Sequence, residues 1–494
     1  MKRPLFFLLA FLFAQALFAQ TIQDALRYSY LNPGGSARFM GAGGAFGSLG
    51  ADYGVLSTNP AGLALFRTDE LVFTPGLRFA KSTGTLRGSG NEANEDTKTN
   101  FNVNNVGIIF HTEPRNPRWK TFNVGIGMNK MANFHDAQFY TGKSQGSIMN
   151  PWFADVVGAS GVADNLDPFA ARLGYDANAI YEQDGLLTYD FAGTQTATVQ
   201  RSQSLLTTGS INEMVLSFAG NYDEKLMVGA TIGVPFVSYK TEGSYDESDP
   251  TDAVLYFDRL TYTEFLRTNG IGVNLKMGLI YKVNRAIRVG AALHTPTLMS
   301  LTDNYSTTFQ YDYTDGTGSK TGDVLSSPDG TFDYKLRTPW RAILSSSVVI
   351  NKMGFLSADV EFVDYSANRF NLTANTANTD DQVAERDLNN SIRKSYQQAL
   401  NVRLGGELAF GNFRARAGAN LLGKPGEGKN GFNTAITGGI GVRGDAFYLD
   451  LGFRHLTGTS TVAAYSDPTP LVQQPIADFS SAINEVLMTV GFKF

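Results

Sequence analysis

The chain has 494 residues, no cysteine, and 41 basic against 46 acidic residues, for a net charge of −5. The acidic balance argues against nucleic acid as a partner. The missing thiols exclude thiol catalysis, thiolate metal sites and disulfide stapling.

The opening stretch "MKRPLFFLLAFLFAQALFAQ" has a basic start at Lys2 and Arg3, an apolar core from Leu5 to Phe13 and a small-residue exit from Ala14 to Ala19. It reads as a secretory signal peptide, because the apolar run is too short to span a bilayer. Cleavage is expected after Ala19, with Ala16 as the alternative, and leaves a mature charge of about −7.

Residues 20–68 follow, carrying "MGAGGAFGSLG" and "ADYGVLSTNPAGLALF". Gly41, Gly43 and Gly44 make the first stretch too glycine-rich for a good helix, and Asn59, Pro60, Ala61 and Gly62 set a turn in the second. The glycine spacing is not GxGxxG and no GK[ST] follows, so a nucleotide loop is rejected.

From residue 69 onward the chain alternates. Val486, Met488, Val490, Phe492 and Phe494 share one face of the last segment, with Leu487, Thr489, Gly491 and Lys493 on the other. Such a period of two marks a strand with one apolar side. Fourteen strands are read near 70–82, 100–111, 121–130, 211–221, 225–242, 266–282, 286–312, 333–350, 354–370, 399–410, 413–422, 435–443, 447–456 and 483–494. Every second connection is short ("YDE", "VNR", "GN", "GDA"), and the intervening ones are long, the longest from Met131 to Ser210. A soluble sandwich has no reason to segregate its loops, whereas an outer-membrane barrel does. Trp119, Phe122, Phe410, Phe413 and Phe447 flank the short turns, where an interfacial girdle belongs.

The expected fold is therefore all-β: a 14-stranded antiparallel transmembrane β-barrel over residues 69–494. The preceding segment, 20–68, has one good place to go, the lumen, and reads as an N-terminal hatch or plug. Within the longest loop, Asn150 with Pro151 and Asp167 with Pro168 are expected to start two short helices. Trp152, Phe153, Val156, Val157, Phe169 and Leu173 there form either a ligand-capturing groove or the loop's own core, which an ordered loop of this length needs.

The block from "GAGGAF" through "NPAGLA" into alternating strands resembles the FadL-like family of outer-membrane hydrophobic-compound transporters. "GVNLKMGLIYKVNRAIRVGAALHTPT" and "TPWRAILSSSVVINKMGFLSADVEFVDYS" are similar to it as well. The resemblance implies a monomer without cofactor, catching a hydrophobic or amphipathic, long-chain fatty acid-like ligand in its loops and releasing it sideways into outer-membrane lipid. It implies that Gly41, Gly43, Gly44 and Asn59 to Gly62 form the hatch. The third strand would carry a kink and a lateral gap, which Gly125 and Gly127 would permit. The alternative role is an accessory barrel serving a protein secretion system. The terminal Phe492 and Phe494 resemble the signal read by the barrel assembly machinery.

Asp359, Glu361, Arg403, Glu407, Arg414, Arg416, Asp450 and Arg454 lie on the polar faces of their strands, where they read as lumenal charges. A network closing one end of the barrel is favoured over a carboxylate-selecting element. His111, His135, His294 and His455 have no metal spacing and no serine pairing, so neither a metal site nor an enzyme is expected.

Overall fold

Alternation closes the chain into a cylinder. A computed structural model describes residues 21–315, 317–372, 379–426, 431–465 and 474–494; the signal-peptide segment lies outside them. Fourteen antiparallel strands follow in chain order: β1 (Glu70–Leu86), β2 (Asn94–Thr112), β3 (Trp119–Asn133, resuming as Asp136–Gln145), β4 (Thr198–Tyr222), β5 (Leu226–Ser248), β6 (Phe257–Lys282), β7 (Ile287–His294 and Leu298–Asp315), β8 (Gly330–Arg337 and Arg341–Ile350), β9 (Gly354–Asp364 and Arg369–Asn371), β10 (Gln398–Phe410), β11 (Phe413–Gly423), β12 (Phe432–Arg443), β13 (Phe447–Ala463) and β14 (Ile476–Lys493). Each pairs with the next, and β1 pairs with β14 from Glu70↔Lys493 to Leu86↔Ala477, so no edge remains at the seam.

The sides of each strand differ as a membrane barrel requires. On β14, Val486, Met488 and Phe492 are exposed, while Leu487 and Thr489 are buried in the lumen. Leu71, Phe73, Leu77 and Phe79 of β1 and Leu449, Leu451 and Phe453 of β13 continue the exposed apolar belt. No described helix is long and apolar enough to cross a membrane; the crossing is made by strands.

Three of the strands read as continuous are broken. Proline interrupts β7 at "TPT" (295–297) and β8 at "TPW" (338–340), and a short 3-10 turn, Tyr365–Ala367, interrupts β9. Proline cannot donate to the ladder, so the run of pairing stops there. Thr338 stitches the gap: its N–H donates to the Thr297 carbonyl (3.1 Å) and its Oγ1 accepts from Thr297 N–H (2.9 Å).

The lumen holds the N-terminal segment. Helix α1 (Ile22–Ser29) stands toward the long-loop end, held by a Thr21/Asp24 capping box. Helix α2 (Ala37–Gly41), capped by Ser36 Oγ on Phe39 N–H (3.0 Å), and the 3-10 turns Tyr53–Ser57 and Pro60–Leu65 fill the short-turn end. Phe39, Phe46, Leu49, Val55, Leu56 and Leu63 form one buried core with Val215, Met227 and Ile280 of the wall.

In the longest loop lie α3 (Met149–Gly158) and α4 (Ala171–Asp176). Both begin away from the expected caps. Ser147 rather than Asn150 serves the start of α3, its Oγ accepting from Met149 N–H (3.1 Å). Asp167 accepts from Phe169 N–H (3.0 Å) in a turn ahead of α4. The helix α5 (Thr379–Ser395), unread in the sequence, turns Ile392 inward against α1.

Candidate functional site

The plug is bonded to the wall by the residues that gave it away. Asn59 accepts from Ala61 N–H through Oδ1 (3.2 Å), capping the second 3-10 turn. Its Nδ2 faces the Gly47 carbonyl of the plug and the carbonyls of Leu279 (3.3 Å) on β6 and Ala291 (3.4 Å) on β7. Pro60 and Ala61 lie on Gly229 of β5, and Gly62 packs on Gly50 and Val55. Thr437 Oγ1 of β12 donates to the Gly41 carbonyl (3.0 Å) and accepts from Gly43 N–H (3.1 Å). Gly43, at φ +67°, takes the left-handed turn that brings its backbone to β10 and β11, and Gly44 (φ +71°) faces the Phe39 ring. The wall is cut to fit. A Cβ on Gly418 would stand 2.5 Å from Gly43 N, and one on Gly452 2.5 Å from the Ala37 carbonyl. Glycines on the polar faces of strands are the positions where the plug backbone touches the barrel.

Ion pairs follow the same logic. Glu407 receives Arg416 Nε (2.6 Å) and Arg38 Nε of the plug (3.1 Å), with Arg414 at the rim (4.0 Å). Asp450 receives Arg416 (2.7 Å) and Arg443 (2.9 Å). Asp359 accepts from Gly47 N–H (3.0 Å). Arg403 joins Arg341 on Glu361 (2.6 and 2.7 Å).

That last cluster belongs to a polar belt across the lumen. The buried pair Glu213–Lys276 is its other half, with Asn274 Nδ2 and Ser57 Oγ donating to the same carboxylate (3.0 and 2.9 Å). His294 Nε2 bonds the Thr58 carbonyl (2.6 Å). Along β4 the order is Val215 in the plug core, Glu213 in the belt and Ile211 in a second apolar layer. On β9 it is Phe355, then Glu361, then Val363. The second layer is a chamber lined by Tyr239, Met299, Leu301, Tyr334 and Phe370, and filled by Ala25 and Tyr28 of α1. Tyr28 meets Tyr239 and Phe134 edge-on (6.4 and 6.3 Å). Cavities at belt level measure about 20 and 30 Å³, room for single waters.

Beside the chamber the β2–β3 ladder ends. Pairing of β2 with β3 runs from Thr112↔Phe122 and stops at Asn105↔Asn129. Asn129 lies opposite Glu213, at belt level. Beyond it β3 bulges between Lys130 and Ala132, breaks at Phe134–His135 and leans inward, Tyr140 packing on Phe479 of β14. From inside, an arm covers the parted strands: Asn32 N–H donates to the Met131 carbonyl (3.0 Å), Gly34 N–H to that of Lys130 (2.7 Å), and Arg454 Nη1 to Asn32 Oδ1 (3.0 Å). Gly125 and Gly127 lie below this break, facing Leu56 and the Tyr53 hydroxyl of the plug. They make room for the plug.

The long loop packs on itself. Trp152, Val156 and Leu173 are buried with Phe309 and Tyr262, Phe153 stacks on Tyr189 (4.3 Å), and Phe169 lies on Tyr305 (4.8 Å). Val157 alone of the six is largely exposed. Burial raises the Asp190 carboxyl above its ordinary value, against hydrogen bonds from Tyr311 (2.7 Å) and Tyr181 (3.0 Å). At the short turns Phe492 and Phe494 point outward, and Phe494 N–H donates to the Asp69 carbonyl (3.1 Å).

Sequence reasoning missed Arg38, Glu213, Lys276, Lys130, the arm and α1. Strand parity could have placed Glu213 and Lys276 inside, because each sits on an otherwise inward face; their pairing spans 63 residues and has no local signal.

No protein-family model and no curated protein matches the chain by sequence. Solved structures do match in fold. The toluene transporter TodX of P. putida is 14% identical with a TM-score of 0.53, over 93% of this chain and 99% of that one. A FadL homologue from Pseudomonas aeruginosa is 11% identical with a TM-score of 0.53, over 94% and 100%.

Proposed function

We propose that the chain is an outer-membrane channel that takes up a hydrophobic or amphipathic small molecule passively and releases it sideways into the bilayer. The observation that carries this reading is the coincidence of two levels. The polar belt lies across the axis at the level where backbone pairing between β2 and β3 ends. An apolar solute in the chamber would meet buried charges below it and lipid beside it. Leaving toward water costs about 0.8 kcal/mol per methylene, whereas leaving into lipid costs nothing comparable. Dilution into the membrane is then the driving force.

The toluene transporter of the same fold supports this class of cargo. The long loops face outward and the short turns face the periplasm of a Gram-negative cell, after signal-peptide export and insertion through the terminal Phe492 and Phe494. Residues 20–68 act as the hatch, gated at Gly41, Gly43, Gly44 and Asn59 to Gly62, and the chain works as a monomer. No chemistry is assigned to any residue. A ligand needs about 300–1,000 Å³, so α1 must leave the chamber before one enters. The test is mass spectrometry of organic extracts from protein purified in mild detergent, beside a variant lacking residues 21–29. A specific hydrophobic compound bound to the chain, and enriched when α1 is absent, supports the reading; bulk lipid alone in both samples defeats it.

A further inference from the structure

Helix α5 stands where a strand would. The upper segment of β9, Arg369–Asn371, pairs with β8 on one side, and side chains of α5 supply bonds beside it. Glu385 accepts from Leu372 N–H (2.9 Å), and Asn389 both accepts from Phe370 N–H (2.9 Å) and donates to its carbonyl (2.9 Å). Residues four apart share a helix face, so Arg393 comes next along it and brings its charge to Arg369.

Arg369 is already crowded there. It lies directly opposite Arg337 of β8, and like charges facing each other across a ladder are destabilising. The adjoining pair, Leu336 and Phe370, is buried in the lumen, so both guanidinium groups lie on the outer face. Lys335 shares that face, and Lys394 is exposed in the last turn of α5. Arg369 Nη1 donates to the Ser366 and Asn368 carbonyls (2.6 and 2.5 Å). Among the described residues none of these cations enters an ion pair. Asp333 and Asp364, on the same stretch of the two strands, are each bonded to a hydroxyl, those of Thr302 and Ser366 (2.5 and 2.6 Å). Elsewhere on the rim outward cations face carboxylates directly: Lys81 meets Glu95 (2.7 Å), Arg87 meets Asp478 (2.7 Å) and Arg259 meets Asp246 (2.5 Å).

The height of this cluster is set by its neighbours. Trp340, Phe362 and Leu400 are exposed and end the apolar belt on β8, β9 and β10; a Trp at such an edge marks the membrane–water interface. Arg337 stands just beyond Trp340, on the side of the long loops, at the level of lipid headgroups. We infer that Arg337, Arg369 and Arg393 bind the phosphate of a membrane lipid in the leaflet on the long-loop side, and that this lipid pins α5 over the chamber. Phosphate is the partner whose oxygens take guanidinium groups two at a time, and its charge cancels the repulsion between them. Two of the arginines come from the wall and one from α5, so the bound phosphate ties helix to barrel. Ile392, beside Arg393, packs in the chamber layer with Ala25 and Tyr28, and Tyr396 Oη donates to the Ile22 carbonyl (2.8 Å); the lipid therefore steadies α1 as well. The inference rests on the membrane belt and not on what the barrel carries.

The test uses the purified full chain in detergent and native mass spectrometry, with diphosphoryl lipid A and its phosphate-free counterpart as probes. The wild type is expected to hold the phosphorylated lipid about tenfold more tightly than the phosphate-free one. Arg337→Gln/Arg369→Gln should lose that preference and Arg393→Gln should weaken it, while Arg87→Gln keeps it. In hydrogen exchange, lipid A should slow α5 in the wild type and leave it unchanged in Arg393→Gln. Equal binding of the two lipids, or a preference that survives in the double variant, overturns the inference and leaves the patch to an acidic protein partner. Displacement of lipid A by millimolar inorganic phosphate overturns the lipid as the source of the anion. Should the double variant fail to fold, the wild-type ratio of the two lipids and Arg393→Gln decide.

Discussion

Replacing Asn59 with alanine should loosen the plug without opening the barrel. The side chain caps the second 3-10 turn through Ala61 N–H and gives its amide hydrogens to the Gly47 carbonyl and to the carbonyls of Leu279 and Ala291. Losing an Asn cap costs about 1 kcal/mol. The two amide hydrogens contribute about 1 kcal/mol each, the longer wall contacts sharing one of them. The plug should thus lose about 3 kcal/mol against local opening, roughly a hundredfold in the population of opened plug. The barrel ladder, which Asn59 touches only through two carbonyls already engaged across β6 and β7, keeps its protection. Hydrogen–deuterium exchange resolved by mass spectrometry reads this directly. Peptides from residues 37–65 should exchange roughly a hundredfold faster in Asn59→Ala, while β10 to β13 exchange as before. Unchanged plug exchange would show that glycine–backbone packing alone seats the plug. Uniform acceleration through the strands would show that plug and barrel open as one unit.

Further outcomes follow from the same geometry. Glu213→Leu strands the buried Lys276 ammonium and should destabilise the protein by about 3–5 kcal/mol in urea unfolding; adding Lys276→Met should restore most of the loss. At the short turn between β4 and β5, partial burial disfavours the Glu224 charge, yet hydrogen bonds from Arg67 and Lys282 hold its carboxyl down at about 2. A depressed carboxyl contributes stability above its unfolded value near 4.5 that is lost as pH falls toward 2. Arg67→Met should move that loss to higher pH in an acid titration of the unfolding midpoint, and an unmoved profile would remove Arg67 from the latch.

How far the sequence could be read divides along a physical line. Strand count, lumenal plug and loop asymmetry were legible because a period of two and a turn chemistry such as Asn59-Pro60 are local properties. The prolines at 296 and 339 were visible too, yet their effect was not, since strand reading carries a run through one proline when both flanks alternate. The belt escaped because Glu213 on β4 meets Lys276 on β6, and Arg403 on β10 meets Glu361 on β9, only once the strands are paired in register. The resemblance implied a kink that the glycines of β3 would permit; those glycines give clearance to Tyr53 and Leu56, and the strand breaks later, at Phe134–His135, where no glycine stands.

The central claim is that cargo leaves between β2 and β3, and a staple across that gap tests it most directly. The chain has no cysteine, so Asn100→Cys/Asn133→Cys introduces the only thiols, on residues whose side chains already touch (3.3 Å). Bridging them with a short bis-maleimide should abolish uptake of a radiolabelled hydrophobic probe by cells carrying the full-length protein, while either single variant treated alike keeps it. Uptake that continues at the wild-type rate through the bridged barrel would contradict lateral release and send the path through the plug.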